Sequence, residues 1–354
     1  MHADQDSVPT PDPDRVAVLA HGQFPDRAKT AVGILRYADY EVVAVLDRER
    51  AGSRVADHVP GVPNAPIVAS MADAPDCDAL VIGIAPIGGG FEESWRPDVR
   101  TALERGCDVV AGLHYFLAED EEFARLADRH DARLWDVRRP PGDLTVAEGV
   151  ADEVEAGVVL TVGTDCSTGK MTTTMELVRA ARERGIDAAV VPTGQTGILI
   201  EGWGIAVDRV VSDFAAGAVE RMLLREADRD LLVVEGQGSI VHPAYSGVTT
   251  SILHGAASDA LVLCHAAGRE AIHGYEDVRL PDPDAYIDLY ESLAAPVHDA
   301  EVVAGSLATH GIEEETAARD AVDAFMDATD ARATDPVRFG PGAILDAVLG
   351  SIDT

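Results

Sequence analysis

Short apolar runs alternate along the chain with longer amphipathic stretches. In the first half the runs are Arg15–Ala20, Val42–Leu46, Ala79–Ile84, Asp108–Ala111 and Arg133–Trp135, and between them lie Ala28–Tyr37, Asp98–Arg105 and Glu119–His130. Runs this short and rich in Val, Ala and Leu read as strands, and the intervening stretches as helices. Such alternation predicts an open, mostly parallel sheet. At Arg138–Asp143 the sequence RRPPGD interrupts the rhythm, and an acidic stretch, Leu144–Ala156, leads into a second series. Its strands are expected at Val158–Val162, Ala188–Pro192, Leu231–Glu235, Ala260–His265 and Glu301–Ser306. Its helices are expected near Lys170–Arg184, Asp213–Ala227, Asp284–Ala294, Glu313–Asp327 and Pro341–Leu349. The expected fold class is therefore α/β, with two doubly wound parallel-sheet domains. The expected boundaries are a disordered acidic tail over 1–13, a first domain over 14–140, a linker over 141–156 and a second domain over 157–354.

The most informative junction opens the second series. In VVLTVGTDCSTGKMTTTMELVRA, residues 158–180, an apolar strand runs into a Gly-rich turn, Gly163–Gly169, and a helix opens at Lys170. That order is what a phosphate-binding loop requires: turn N–H groups and the helix dipole point at an anion, and a lysine reaches over it as a point charge. The lysine stands out because the chain has 26 arginines and only two lysines. The spacing departs from G-x-x-x-x-G-K-[ST], since five residues separate Gly163 from Gly169 and Met171 stands where a hydroxyl residue normally holds Mg²⁺. Thr172 follows, but one helical position rotates a side chain by about 100°. Phosphate binding is thus supported more strongly than a magnesium nucleotide, and no protein metal site is expected. The blander reading is an ordinary strand–helix turn rich in small residues.

Charge changes the picture of partners. The chain has 62 acidic and 28 basic side chains, a formal charge of −34 over 354 residues. Such a surface repels nucleic acid and anionic lipid, so neither is an expected partner. The acidic residues are spread along the chain and the apolar content is 47%, which supports a packed core over a disordered acidic protein. Few lysines with abundant Asp and Glu fit a halophilic, high-salt cytoplasm, where charges are screened within about 3 Å at molar ionic strength. Cys77, Cys107, Cys166 and Cys264 form no C-x-x-C pair. With an N-terminus lacking an apolar signal region and no run near the ~20 residues of a membrane span, a cytoplasmic protein is expected.

Further candidates follow the later strands. LLVVEGQGSIVHP, Leu231–Pro243, places Glu235 at a strand end beside Gly236 and Gly238, where it can bind metal, orient water or accept a proton. His242 is a second base candidate or a hydrogen-bonded turn histidine. PTGQTGILI, Pro192–Ile200, offers Gln195 and Thr196 in a Gly-flanked loop, and Gln237 lies between two glycines. Asp213 reads as a helix N-cap that can also face the site. Arg269 is a candidate phosphate contact. Cys166 is either a reactive thiol or a small residue fitting a tight loop. In the first half, AVLAHGQF lacks G-x-G-x-x-G, so NAD is not expected, and GIAPIGGG, Gly83–Gly90, is either a substrate loop or a flexible connection.

Taken together, GTDCSTGKMTT, PTGQTGILI, SDFAAGAVE and VEGQGS resemble the DgcN family of D-glutamate N-acetyltransferases. The resemblance covers nearly the whole chain, and Lys-Met-Thr is its most specific mark. It implies a Rossmann-like domain followed by a P-loop NTPase-like domain, and transfer of acetyl from acetyl-CoA to the amino group of D-glutamate in its catabolism. It maps cofactor binding onto Gly163, Thr164, Asp165, Cys166, Ser167, Thr168, Gly169, Lys170, Met171 and Thr172. Glu235 also occupies a matching place, but the catalytic base is not fixed by the resemblance and stays open among Glu235, Asp213 and His242. Substrate contacts are expected from Gln195, Thr196, Gln237 and Arg269, with Arg96, Arg209 and Arg279 as further cations for the two carboxylates. A weaker likeness to dethiobiotin synthetase, through GTD…GK and VEG-x-G, supplies an Mg²⁺- and ATP-dependent ligase or kinase as the alternative. A non-catalytic nucleotide-binding regulator fits the crowded polar groups least. The expected partners are a small-molecule substrate and further copies of the chain in a homo-oligomer.

Acyl transfer suits the residues. A Gly-rich loop can hold the phosphates of CoA without Mg²⁺, which makes Met171 tolerable. The thioester is already activated, so what remains is deprotonating the amine and stabilising an oxyanion.

Overall fold

The structure, a computed structural model, describes residues 13–86 and 88–352. The expected acidic tail, apart from Pro13, and Ile87 of the Gly83–Gly90 loop lie outside the described residues. The chain forms two compact units. The first runs through Gly142 and also takes in Ile198–Arg209; the second comprises Asp143–Gly197 and Val210 onward. The segment 198–209, expected within an uninterrupted second domain, is tied into the first unit. There Tyr40 OH donates to Leu199 O at 2.9 Å, and the Arg138 guanidinium pairs with Asp208.

In the first unit six strands form one parallel sheet: β1 (Arg15–Leu19), β2 (Glu41–Leu46), β3 (Ile67–Val68), β4 (Ala79–Ile82), β5 (Asp108–Ala111) and β6 (Leu134–Asp136). Their spatial order is β3-β2-β1-β4-β5-β6, the doubly wound Rossmann arrangement. Val16–Leu19 are fully buried, as expected for a strand covered on both faces. The helices are α1 (Lys29–Tyr37), α2 (Arg96–Glu104) and α3 (Glu121–His130). Asp120 caps α3 by accepting from Glu122 and Phe123 N–H, and Asp131 closes it in a left-handed conformation.

In the second unit the sheet comprises β7 (Gly157–Gly163), β8 (Ala188–Val191), β9 (Leu231–Val234), β10 (Ala260–Ala266), β13 (Glu301–Ala308) and β14 (Arg332–Thr334). All are parallel, in the order β14-β13-β10-β7-β9-β8. The intervening β11 (Ala271–Ile272) and β12 (Tyr275–Arg279) make a separate antiparallel hairpin. The helices are α4 (Lys170–Glu183), α5 (Gln195–Glu201), whose residues from Ile198 on belong to the first unit, α6 (Ser212–Arg225), α7 (Ser246–Ala256), α8 (Pro283–Ala294), α9 (Glu315–Thr329) and α10 (Gly342–Ser351). Central β7 is buried along its whole length, and its C-terminal end delivers the Gly-rich turn. Among the described residues no helix is long and apolar enough to cross a membrane.

Two local expectations are corrected. Gln195 and Thr196 open helix α5 rather than sitting in a loop. Asp213 is not an N-cap: that position belongs to Val211, which makes no side-chain cap bond, and Asp213 lies exposed in the first turn of α6.

Candidate active site

The turn after β7 is a tight wrap with its own donors left over. Ser167 (φ 55°) and Gly169 (φ 96°) adopt left-handed conformations that bring the chain round into α4. Among the described residues the N–H groups of Ser167, Thr168 and Gly169 donate to no acceptor. Three unspent N–H groups at the start of a 14-residue helix are the elements of an anion cradle.

Lys170 crosses this turn. A Cβ on Gly163 would stand 2.7 Å from Lys170 Nζ and 2.8 Å from Thr168 Oγ1, so glycine leaves the room the lysine stem occupies. Its Nζ donates to Asp165 O at 2.8 Å and to Thr168 Oγ1 at 3.4 Å, and only 7% of the residue is exposed. The loop is held from behind: Tyr290 OH donates to Gly163 O at 2.8 Å and Ser239 Oγ to Thr164 O at 3.0 Å. Met171 and Thr172 are half-buried in the first turn of α4. Thr173 Oγ1 is committed to Gly169 O at 3.0 Å and Ser306 Oγ at 2.7 Å.

Asp165 is fully buried and heavily partnered. Its carboxylate accepts from Arg269 Nη1 at 3.0 Å, His273 N–H at 2.8 Å and Cys166 N–H at 2.7 Å. Arg269 also donates to Cys166 O. The arginine expected to meet a phosphate is thus spent on the loop itself, where it offsets the Asp165 charge that would repel an anion. Burial, with the Arg269 charge second, pushes the His265 pKa down; its Nδ1 lies 2.9 Å from Thr164 Oγ1.

His242 is buried, with Nε2 4.0 Å from Asp165 Oδ1 and no hydrogen-bond partner for that nitrogen among the described residues. The ligating atoms of Asp165, Cys166 and His242 lie within 4.8 Å of one another. Ala244 N–H, however, donates to His242 Nδ1 at 3.1 Å, so a neutral ring carries its proton on Nε2. Metal ligation through Nε2 needs that proton on Nδ1, where it would meet Ala244 N–H head-on. The donor set therefore does not fit a metal ion. For the same reason Nε2, as placed, is a hydrogen-bond donor without a lone pair for proton abstraction.

Glu235 follows β9 with 6% of its surface exposed. Its Oε2 accepts Gly194 N–H at 3.1 Å, and a Cβ on Gly197 would overlap the same oxygen. The two glycines of PTGQTG thus make room for this carboxylate at the start of α5. Thr193 Oγ1 donates to Glu235 O, and Gln237 Nε2 donates to Thr193 O, bracing the turn. Gly236 N–H donates to Thr161 Oγ1 at 3.1 Å, and a Cβ there would overlap the Thr161 carbonyl and reach 3.4 Å from Lys170 Cδ. The Glu235 turn therefore packs against the stem of Lys170. Thr196 is buried and Gln195 half-buried beside this turn.

The structure thus gathers the P-loop, Glu235, Gln237, His242 and Arg269 in the second unit. The Asp213 side chain makes no hydrogen bond or ion pair among the described residues. Of the other expected cations, Arg279 lies on exposed β12, whereas Arg96 and Arg209 belong to the first unit. Arg96 is neutralised by Asp120, Glu93 and Glu122, and Arg209 lies 5.1 Å over the Phe116 ring. Tyr290 and His273 support the loop from segments far away in sequence, and Ser239 does so from the end of VEGQGS.

Comparison with known proteins agrees with this architecture. Two family models match: a domain of unknown function, DUF1611_N, described as Rossmann-like, over residues 48–140, and DUF1611_C, described as a P-loop domain, over 145–345. A D-glutamate N-acetyltransferase from Tritonibacter scottomollicae is 34% identical over 338 residues, covering 94% of this chain and 97% of that protein. Another D-glutamate N-acetyltransferase, from a Pseudoalteromonas species, is 38% identical over 237 residues, covering 67% and 71%. The crystal structure of a DUF1611 family protein from Anabaena variabilis superposes with a TM-score of 0.90 at 40% identity, covering 95% of this chain and 99% of that one. With both halves matched and relatives aligned along nearly its whole length, the chain belongs to the DUF1611 family and joins a Rossmann-like domain to a P-loop NTPase-like domain.

Proposed function

We propose that this chain transfers an acetyl group from acetyl-CoA to the amino group of D-glutamate. The observation that carries the reading is its correspondence, over 94% of its length, with a protein named D-glutamate N-acetyltransferase. The loop chemistry supports the donor. The N–H groups of Ser167, Thr168 and Gly169 would receive phosphate oxygens of CoA, and Lys170 Nζ would exchange the Asp165 carbonyl for a charge-assisted bond to the same group. Arg269 stays on Asp165, so the cradle keeps a net attraction for anions. Met171 in the first turn of α4 fits a donor held without Mg²⁺.

Glu235 would accept the proton that the ammonium of D-glutamate must lose before its nitrogen attacks the thioester carbon. Attack forms a tetrahedral oxyanion; its collapse breaks the C–S bond and releases CoA as the thiol. His242, with its N–H side toward the loop, is assigned no proton-abstracting role. Asp213, exposed in α6, would take over the base role only if Glu235 proves to be a brace for α5.

The test is direct. With acetyl-CoA, D-glutamate and EDTA but no ATP, free thiol should appear in proportion to D-glutamate. No thiol release, together with ATP hydrolysis that EDTA abolishes and Mg²⁺ restores, would replace this reading with the ATP-dependent ligase or kinase.

A further inference from the structure

We propose that Cys77 and Cys107, in the Rossmann-like unit, are a modification site for hydroperoxides, where two thiols are converted reversibly into a disulfide. Cys77 lies two residues before β4, and Cys107 immediately precedes β5. These strands are parallel neighbours paired Ala79↔Asp108. The two sulfurs, 30 residues apart in sequence, lie 3.9 Å from each other. A bonded pair needs about 2.05 Å, so closing the gap requires the two side chains to rotate toward each other.

The two thiols are unequal in a way that suits this chemistry. Cys77 is half-buried, while Cys107 is buried, its one S–H lying 3.1 Å (Sγ to O) from Cys77 O and shared with the Cys77 sulfur at 3.9 Å. The hydrogen bond from Cys107 pulls the Cys77 thiol down to about 7; burial opposes this and the Arg105 charge assists it. The bond to Cys77 and burial push Cys107 up. Cys77 is therefore more acidic than an ordinary cysteine and supplies thiolate near neutral pH, while Cys107 is a protonated neighbour behind it. Arg105 fixes the approach: its guanidinium donates to Met71 O at 2.7 Å, Ala74 O at 3.1 Å and Pro75 O at 3.0 Å, holding the segment that leads into Cys77.

The steps balance. The Cys77 thiolate attacks the terminal oxygen of a hydroperoxide, the O–O bond breaks, and the other oxygen leaves as an alcohol or water after protonation, giving a sulfenic acid on Cys77. Cys107 sulfur then attacks Cys77 sulfur, and the hydroxyl leaves with the Cys107 proton as water. Two thiols lose two electrons and the peroxide gains them. A thiol reductant reverses the change by exchange.

The experiment exposes the full-length protein to hydrogen peroxide, alkylates remaining thiols after denaturation and maps peptides by mass. The expected result is loss of two of the four free thiols, a linked Cys77–Cys107 peptide lighter by two hydrogens, and full recovery with dithiothreitol. Cys77→Ser should abolish the reaction, and Cys107→Ser should leave a Cys77 sulfenic acid that dimedone captures. Retention of all four thiols, a linkage through Cys166 or Cys264, or a linkage between chains would overturn the proposal. Wild-type mapping decides the matter even if a variant fails to fold.

Discussion

Both sheets begin in the same way: an apolar strand, a turn, and a helix whose first residue is a lysine. Lys29 opens α1, Lys170 opens α4, and the chain has no other lysine. Their surroundings differ completely. The Lys29 side chain is exposed and makes no hydrogen bond or ion pair among the described residues, whereas Lys170 is buried across its loop with two oxygen acceptors. The turns explain the contrast. After β1, Gly22 N–H donates to Asp47 Oδ1, Gln23 and Phe24 N–H to Ala20 O, Arg27 N–H to Gln23 O and Ala28 N–H to Pro25 O. His21 seals the turn on Asp98 at 2.9 Å. Burial pushes the Asp98 carboxyl up, but the bonds from His21 and Met71 N–H, with the charges of His21 and Arg48, bring it below its ordinary value. After β7, three N–H groups in a row are left unspent. A strand end at the head of a doubly wound sheet is only a position; what makes it a ligand site is backbone donors that the turn does not consume itself.

The largest expected effect lies beside the second turn. Glu235→Gln keeps the shape and the acceptor for Gly194 but removes basicity, so turnover with D-glutamate should fall by about 10²–10⁴-fold while CoA affinity holds. A loss under about five-fold, far below the usual contribution of a base, would leave Glu235 as a brace for α5 and move the proton to another group. Gly236→Ala tests the packing that the first turn lacks. The added methyl meets the Thr161 carbonyl, so stability should drop by about 1–3 kcal/mol, read by chemical denaturation. An unchanged midpoint would mean the turn can shift freely against β7. The smallest effect is spread over the molecule. A formal charge of −34 should make the melting temperature rise from dilute buffer to molar KCl, as the screening length falls from about 30 Å at 0.01 M to about 3 Å. A flat melting temperature would show that self-repulsion contributes little.

The sheets were legible because buried parallel strands are short, continuous apolar runs: β5 falls on Asp108–Ala111 as read, and β7 within one residue at each end. Elements without that signal were not. Two-residue β3 is too short for a pattern, α5 is masked by the glycines that make room for Glu235, and exposed β12 has no apolar face. The P-loop could be read because its members are contiguous. Arg269 could be named but not placed, since its use on Asp165 depends on a hairpin 104 residues away in sequence. The same limit applied to Cys77 and Cys107, which share no local motif and meet only through strand pairing.

Isothermal titration of CoA into three proteins, wild type, Lys170→Ala and Lys29→Ala, bears most directly on the central contrast. Loss of a charge-assisted phosphate contact costs about 1.5–3 kcal/mol, so Lys170→Ala should weaken binding roughly ten- to a hundred-fold. Lys29→Ala, at a turn where the Gly22, Gln23, Phe24, Arg27 and Ala28 N–H groups are already bonded, should bind CoA as wild type does. Equal affinities for all three proteins, or a larger loss at Lys29 than at Lys170, would contradict the assignment of the donor's phosphates to the second turn.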